Sequence, residues 1–317
     1  MKGWLFTGTN IPLQLIEKED PTITSNHVII EVKASGLCHS DVAALQDPGW
    51  MPLFPNGPVI MGHECAGVII EVGEGVENLK VGDRVGVNPL DQETRQAAGY
   101  NYDGGYANKV LVPAKQCVKI PEGVTFEEGA AATDAGLTSY HALFAIGQAQ
   151  SGMKVGIIGV GGLGQFAVQM AMIKGCEVYA SDVSEEARQL ASELGCKKIY
   201  DNVLDMAEAE CDVIIDFAGF GKTTADAVEA VKAKGTVVIV GMGVLQSEIN
   251  TYLMITKEIK LLGSNGGTVE DLKGVYDCFA TGEMSPQLTT IPFEEIDKGL
   301  EKLKNHEVKG RLVAVFE

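Results

Sequence analysis

Residues 154–174 read KVGIIGVGGLGQFAVQMAMIK. A short apolar run, 154–158, leads into Gly159-Val160-Gly161-Gly162-Leu163-Gly164, and residues 163–174 then carry apolar side chains at helical spacing. This is G-x-G-x-x-G between a strand and a helix, the context in which the pattern has a mechanism. Gly159 makes the tight turn, Gly161 lets backbone N–H groups approach a pyrophosphate, and Gly164 lets the helix pack closely on the strand. The helix N-terminus adds a partial positive charge for the anion. An acidic residue belongs about 20 positions further on, at the end of the next strand, and Asp182 stands there. A carboxylate at that point accepts hydrogen bonds from both ribose hydroxyls and repels a 2′-phosphate. No Arg or Lys lies within residues 181–186, so the pattern favours NAD over NADP.

Outward from this loop, apolar runs at 177–180, 213–217, 236–240 and 259–262 alternate with helical spacing at 185–194, 223–231 and 269–280. Ser184 is placed to cap the first of these helices. Strand and helix in alternation predict an α/β fold with a doubly wound parallel sheet, here over residues 136–280. The first 130 residues differ. Runs such as HVIIEVKA at 27–34 and GVIIEV at 67–72 alternate in and out of a core, punctuated by glycine, and predict a compact β-rich barrel. Residues 88–103 are polar and weakly patterned and read as a surface loop. After a helix within 291–304, GRLVAVF at 310–316 reads as a last strand outside the βα series. The expected division is therefore 1–135 with 281–317 for one domain and 136–280 for the other.

The composition of the 317 residues sets limits. Twenty-five Lys and Arg against 43 Asp and Glu leave a formal charge of −18, which argues against binding to a phosphate backbone. No apolar run approaches the ~20 residues that span a bilayer, and the first residues, MKGWLFTGTN, lack a signal pattern, so a cytoplasmic protein is expected. Seven cysteines, at 38, 65, 117, 176, 196, 211 and 278, form no C-x-x-C pair. That fits a reducing compartment and excludes a zinc knuckle of closely spaced thiolates. Any metal site must draw ligands from distant parts of the chain.

Two segments of the β-rich region carry such groups: Cys38-His39-Ser40-Asp41 and Gly62-His63-Glu64. With them, six stretches resemble the zinc-dependent medium-chain alcohol dehydrogenase family in both order and spacing. They are GLCHSD (36–41), GHECAGVIIEVGEGV (62–76), VGDRV (81–85), GGYA (104–107), GVGGLG (159–164) and GRLV (310–313). The resemblance implies a GroES-like catalytic domain joined to a Rossmann domain. It implies hydride transfer between a primary or secondary alcohol and NAD, with an aldehyde or ketone as the other partner.

Carried over by position, the resemblance makes Cys38 and His63 ligands of one catalytic zinc, with Asp134 as the third. Three protein ligands leave a fourth position for water or substrate. Ser40 matches the hydroxyl that takes the substrate proton, Asp41 the carboxylate that orients His63, and Glu64 an acidic neighbour of the metal. His39 and Arg311 match contacts to the coenzyme pyrophosphate, and Trp50 and the Asn88-Pro89 segment border the expected pocket. Two features depart from the common pattern. Residues 87–103, where many members carry a second zinc on four cysteines, contain no cysteine, so no structural zinc is expected. Position 43, often a proton-relay histidine, is Ala43. Family members associate as homodimers or homotetramers, and the same is expected here. The competing expectation is a zinc-free NAD(P)H quinone or enoyl reductase of the same superfamily. Those relatives lack the Cys38/His63 pair, and Asp182 argues against NADPH.

Overall fold

The computed structural model describes residues 1–317. The chain divides into two compact units. One comprises Met1–Asp134, Thr268–Ala280 and Pro286–Glu317, and the other Ala135–Gly267 with Thr281–Ser285.

The second unit is built on six strands in the order Lys198–Tyr200, Glu177–Ser181, Lys154–Ile158, Val213–Asp216, Thr236–Ile239, Lys260–Gly263. Every neighbouring pair is parallel. In the unit's own sequence the order is 3-2-1-4-5-6, the doubly wound arrangement, and strand order reverses between the first and fourth strands. The central strands are buried on both faces, which is why they read as continuous apolar runs. Gly164–Ile173 is the helix after the first strand.

In the first unit, the eleven-residue strand His27–Leu37 pairs with Glu64–Val72, with Lys109–Pro113 and with Arg311–Val315. The sheet continues through Arg84–Val87 to Cys117–Lys119. Val28, Ile30, Ile69, Val85 and Val110 fill one core beneath these strands. A second core gathers Phe6, Leu37, Ile60, Met61 and Tyr106, and the buried Trp4 indole donates to the Phe293 carbonyl at 2.9 Å.

The helix Val269–Ala280 forms where its periodicity put it but groups with the first unit. The reason is Tyr276, whose buried hydroxyl donates to Gly129 O at 3.0 Å. The expected boundaries put residues 269–280 in the 136–280 domain, whereas the compact units group them with the first. The segment 88–103 forms only isolated bridges, Leu90 to Ala97 and Ala98 to Tyr102.

Candidate metal and coenzyme sites

Two turns of the first unit carry most of the candidate chemistry. Cys38 ends the His27–Leu37 strand and precedes the helix His39–Gln46. Asp41, in that helix's first turn, folds back so that its Oδ2 accepts the Cys38 N–H at 3.0 Å. His63 and Glu64 follow Gly62, which has φ +92° and whose added Cβ would lie 2.6 Å from Tyr106 N. Only glycine fits a left-handed turn pressed against a backbone nitrogen, so Gly62 fixes the direction in which His63 leaves the turn. Asp134 comes from an irregular stretch, the π-helical segment Ala132–Gly136.

These turns bring Cys38, His63, Glu64 and Asp134 together, with one ligand atom from each within 4.8 Å of every other. Asp134 Oδ2 lies 3.6 Å from Cys38 Sγ and 3.6 Å from His63 Nε2. Tetrahedral zinc with bonds of about 2.0–2.3 Å to N, O and S sets its ligand atoms about 3.3–3.6 Å apart. The donor spacing and chemistry therefore fit zinc. On the far side of the imidazole, Nδ1 faces Asp41 Oδ1 at 3.3 Å. Asp41 Oδ2 also accepts the Tyr106 hydroxyl at 2.6 Å.

The field in the cluster favours positive charge. Burial opposes charging His63, but Tyr100, Asp41 and Asp134 outweigh it and raise the imidazole's pKa well above its ordinary value. Burial pushes the Glu64 carboxyl above the usual carboxylate range, against the pull of Arg311. Arg311 is buried, with Nε on Glu64 Oε2 at 3.1 Å and Nη2 on both Glu64 Oε1 and Asp134 Oδ2. Arg311, for which a pyrophosphate contact is expected, pairs with two carboxylates.

Ser40 is half-buried one residue before Asp41, and His39 is exposed and stacks on His306 with ring centroids 5.9 Å apart. Sequence reasoning assigned no role to Tyr106, although the GGYA stretch contained it, or to Tyr100. The Tyr100 ring lies 5.5 Å from the His63 ring. A tyrosine in a weakly patterned loop carries no local signal of what it touches.

In the second unit, Gly159 has φ +85°, and a Cβ on Gly164 would sit 1.9 Å from Gly159 O. A Cβ on Gly161 would meet nothing within 4 Å, so open space lies over the loop where a pyrophosphate would rest. Asp182 Oδ2 accepts Val160 N–H and Oδ1 accepts Ser184 N–H, both at 2.8 Å. The carboxylate thus ties the strand end to the glycine loop. Arg188, two residues beyond the window read from sequence, donates to the backbone carbonyls of Asp182 and Val183 at 2.9 Å each.

Known proteins match both units of the chain. Residues 24–122 match the family model "Alcohol dehydrogenase GroES-like domain", and residues 162–281 match "Zinc-binding dehydrogenase". An alcohol dehydrogenase of Geobacillus stearothermophilus is 36% identical over 327 aligned positions, covering 95% of this chain and 96% of the relative.

The chain belongs to the zinc-dependent medium-chain alcohol dehydrogenase family.

Solved structures of the family superpose closely. The alcohol dehydrogenase of Aeropyrum pernix matches with a TM-score of 0.90 at 30% identity, covering 99% of this chain and all of that one. An acetophenone reductase from Geotrichum candidum, solved in complex with NAD, gives 0.89 at 32% identity over 99% and 96%. Membership makes this chain an oxidoreductase that moves hydride between an alcohol and a nicotinamide coenzyme.

Proposed function

We propose that the chain oxidises a primary or secondary alcohol, reversibly, with NAD as coenzyme and one catalytic zinc held by Cys38, His63 and Asp134. The observation that carries this reading is the donor cluster, which joins a thiol, an imidazole and a carboxylate at the separations tetrahedral zinc imposes. Bound there, zinc supplies a Lewis acid that lowers the pKa of an alcohol. The chain's own groups do the rest. Asp41 holds His63 by Nδ1 and leaves Nε2 for the ligand position. Ser40 accepts the alcohol proton, and Glu64 with Arg311 sets the charge behind the cluster. Ala43, at the relay position, cannot pass that proton on, and a bound coenzyme would supply a ribose hydroxyl for the relay. Gly159, Gly161, Gly162, Leu163 and Gly164 would receive the coenzyme pyrophosphate, Asp182 would take the ribose diol, and His39 would contact the pyrophosphate as well.

The chain is read as a homodimer or homotetramer. Support comes from Lys260–Gly263, which ends the six-stranded sheet, and from the exposed Tyr252 and Ile255 on the helix Thr251–Lys257. An end strand beside exposed apolar groups invites pairing. Seven free cysteines support a cytoplasmic setting, and no helix is long and apolar enough to cross a membrane.

The deciding experiment couples metal analysis to turnover. About one zinc per chain is expected, with NAD reduction by a panel of alcohols. Cys38→Ser and His63→Ala should lose that activity while still binding NADH. Wild-type turnover in either variant, or purified protein active without metal, would sink the zinc reading.

A further inference from the structure

We propose that Arg311 is a positioning residue for the metal centre, its guanidinium braced on Glu64 and setting the angle at which Asp134 presents its oxygen. This rests on the zinc reading above and assigns a new role within that site. Asp134 Oδ2, the oxygen that faces both Cys38 and His63 at 3.6 Å, is also the one that accepts Arg311 Nη2 at 3.1 Å. A carboxylate oxygen has two lone pairs, so it can face a cation with one and an N–H donor with the other.

The three ligands differ in how they are anchored. Cys38 is fixed by the strand it ends and by Asp41, and His63 by Gly62 and Asp41. Asp134 rises from a short π-helical stretch and ends the first of the three segments that make up the first unit, with its side chain 17% exposed. A ligand on irregular backbone needs an outside partner to hold its angle. Arg311 is suited to that work. It sits on the strand Arg311–Val315, which pairs with His27–Leu37, and is only 4% exposed. Two of its nitrogens are spread over Glu64, which is itself fully buried.

The guanidinium also offsets part of the negative charge that the Cys38 thiolate, Asp41, Asp134 and Glu64 place around the metal position. Lysine could supply the charge but not the planar fork that reaches two carboxylates at once.

The test uses zinc-loaded protein, with zinc release to a chromophoric chelator and the absorption spectrum of the cobalt(II)-substituted form as readouts. Arg311→Lys should release zinc at least about tenfold faster and shift the cobalt bands, the scale seen when partners of metal ligands are removed. In an Asp134→Cys background the same change should cost less than about threefold, because sulfur is a weak acceptor. If Arg311→Lys does not fold, judged by circular dichroism, Arg311→Gln/Glu64→Gln removes both buried charges together. That double variant should release zinc faster than Glu64→Gln alone. An unchanged release rate and cobalt spectrum, an equal effect in both Asp134 backgrounds, or a double variant no faster than Glu64→Gln would each overturn the role of Arg311. Wild-type protein that binds no zinc would instead overturn the zinc reading.

Discussion

The Asp41 carboxylate faces His63 Nδ1 at 3.3 Å, and neither Asp41 Oδ1 nor His63 Nδ1 has another hydrogen-bond partner. An acceptor at Nδ1 keeps the ring proton there and leaves the Nε2 lone pair for a cation. Asp41→Asn preserves shape but allows an amide N–H to face Nδ1, which would drive the proton to Nε2. Zinc affinity should then fall about 10- to 100-fold, with the far-UV spectrum unchanged. Dialysis against a graded chelator series measures it. Wild-type zinc retention in Asp41→Asn would show that the pair does not set the tautomer.

Gly62→Ala tests the turn that aims His63. The residue must keep φ +92° with a new methyl 2.6 Å from Tyr106 N. Left-handed strain alone costs about 1–3 kcal/mol, and the contact with backbone leaves no flexible neighbour to give way. Zinc binding should weaken together with stability, seen as a lower melting temperature of both metal-free and loaded protein. A variant that melts like wild type and binds zinc normally would remove Gly62 from this account.

Both sites were partly legible in sequence, for different reasons. The glycine loop and Asp182 are local in the chain, so spacing alone located them. Cys38 and His63 sit in short motifs whose order could be matched. The pairing of Arg311 with Glu64 was not legible, because nothing in GRLV points to a carboxylate 247 residues away. Tyr106 and the helix Val269–Ala280 show the same limit. Each forms where the local pattern puts it, but its partner, Asp41 for one and Gly129 for the other, is chosen by tertiary packing.

The proposed coenzyme role of Asp182 is separable from its structural one. Its two oxygens already hold Val160 N–H and Ser184 N–H at 2.8 Å, leaving one lone pair on each for ribose hydroxyls. Asp182→Ala should weaken NADH binding about tenfold or more, by the roughly 1.5–3 kcal/mol of hydrogen bonds to a charged acceptor. It should also narrow the preference over NADPH, since the charge that repels a 2′-phosphate is gone. Titration of both coenzymes by fluorescence separates the two effects. Equal NADH affinity in variant and wild type would take Asp182 out of the coenzyme site.

Cys211 gives the chain an alkaline limit. Its side chain is fully buried, and burial pushes the thiol up to about 12 from an ordinary 9.0. The unfolded chain therefore releases this proton at a pH where the folded chain keeps it. Stability from this group is fully present below pH 9.0 and is lost as pH rises toward 12. By pH 10 the loss should be about 1 kcal/mol, at 1.36 kcal/mol for each pH unit between the two values. Urea midpoints measured from pH 8 to pH 10 should fall in the wild type and fall less steeply in Cys211→Ala. Iodoacetamide at pH 8 should leave Cys211 unlabelled until urea unfolds the second unit. Parallel pH profiles for the two proteins, or rapid labelling of native Cys211, would contradict this.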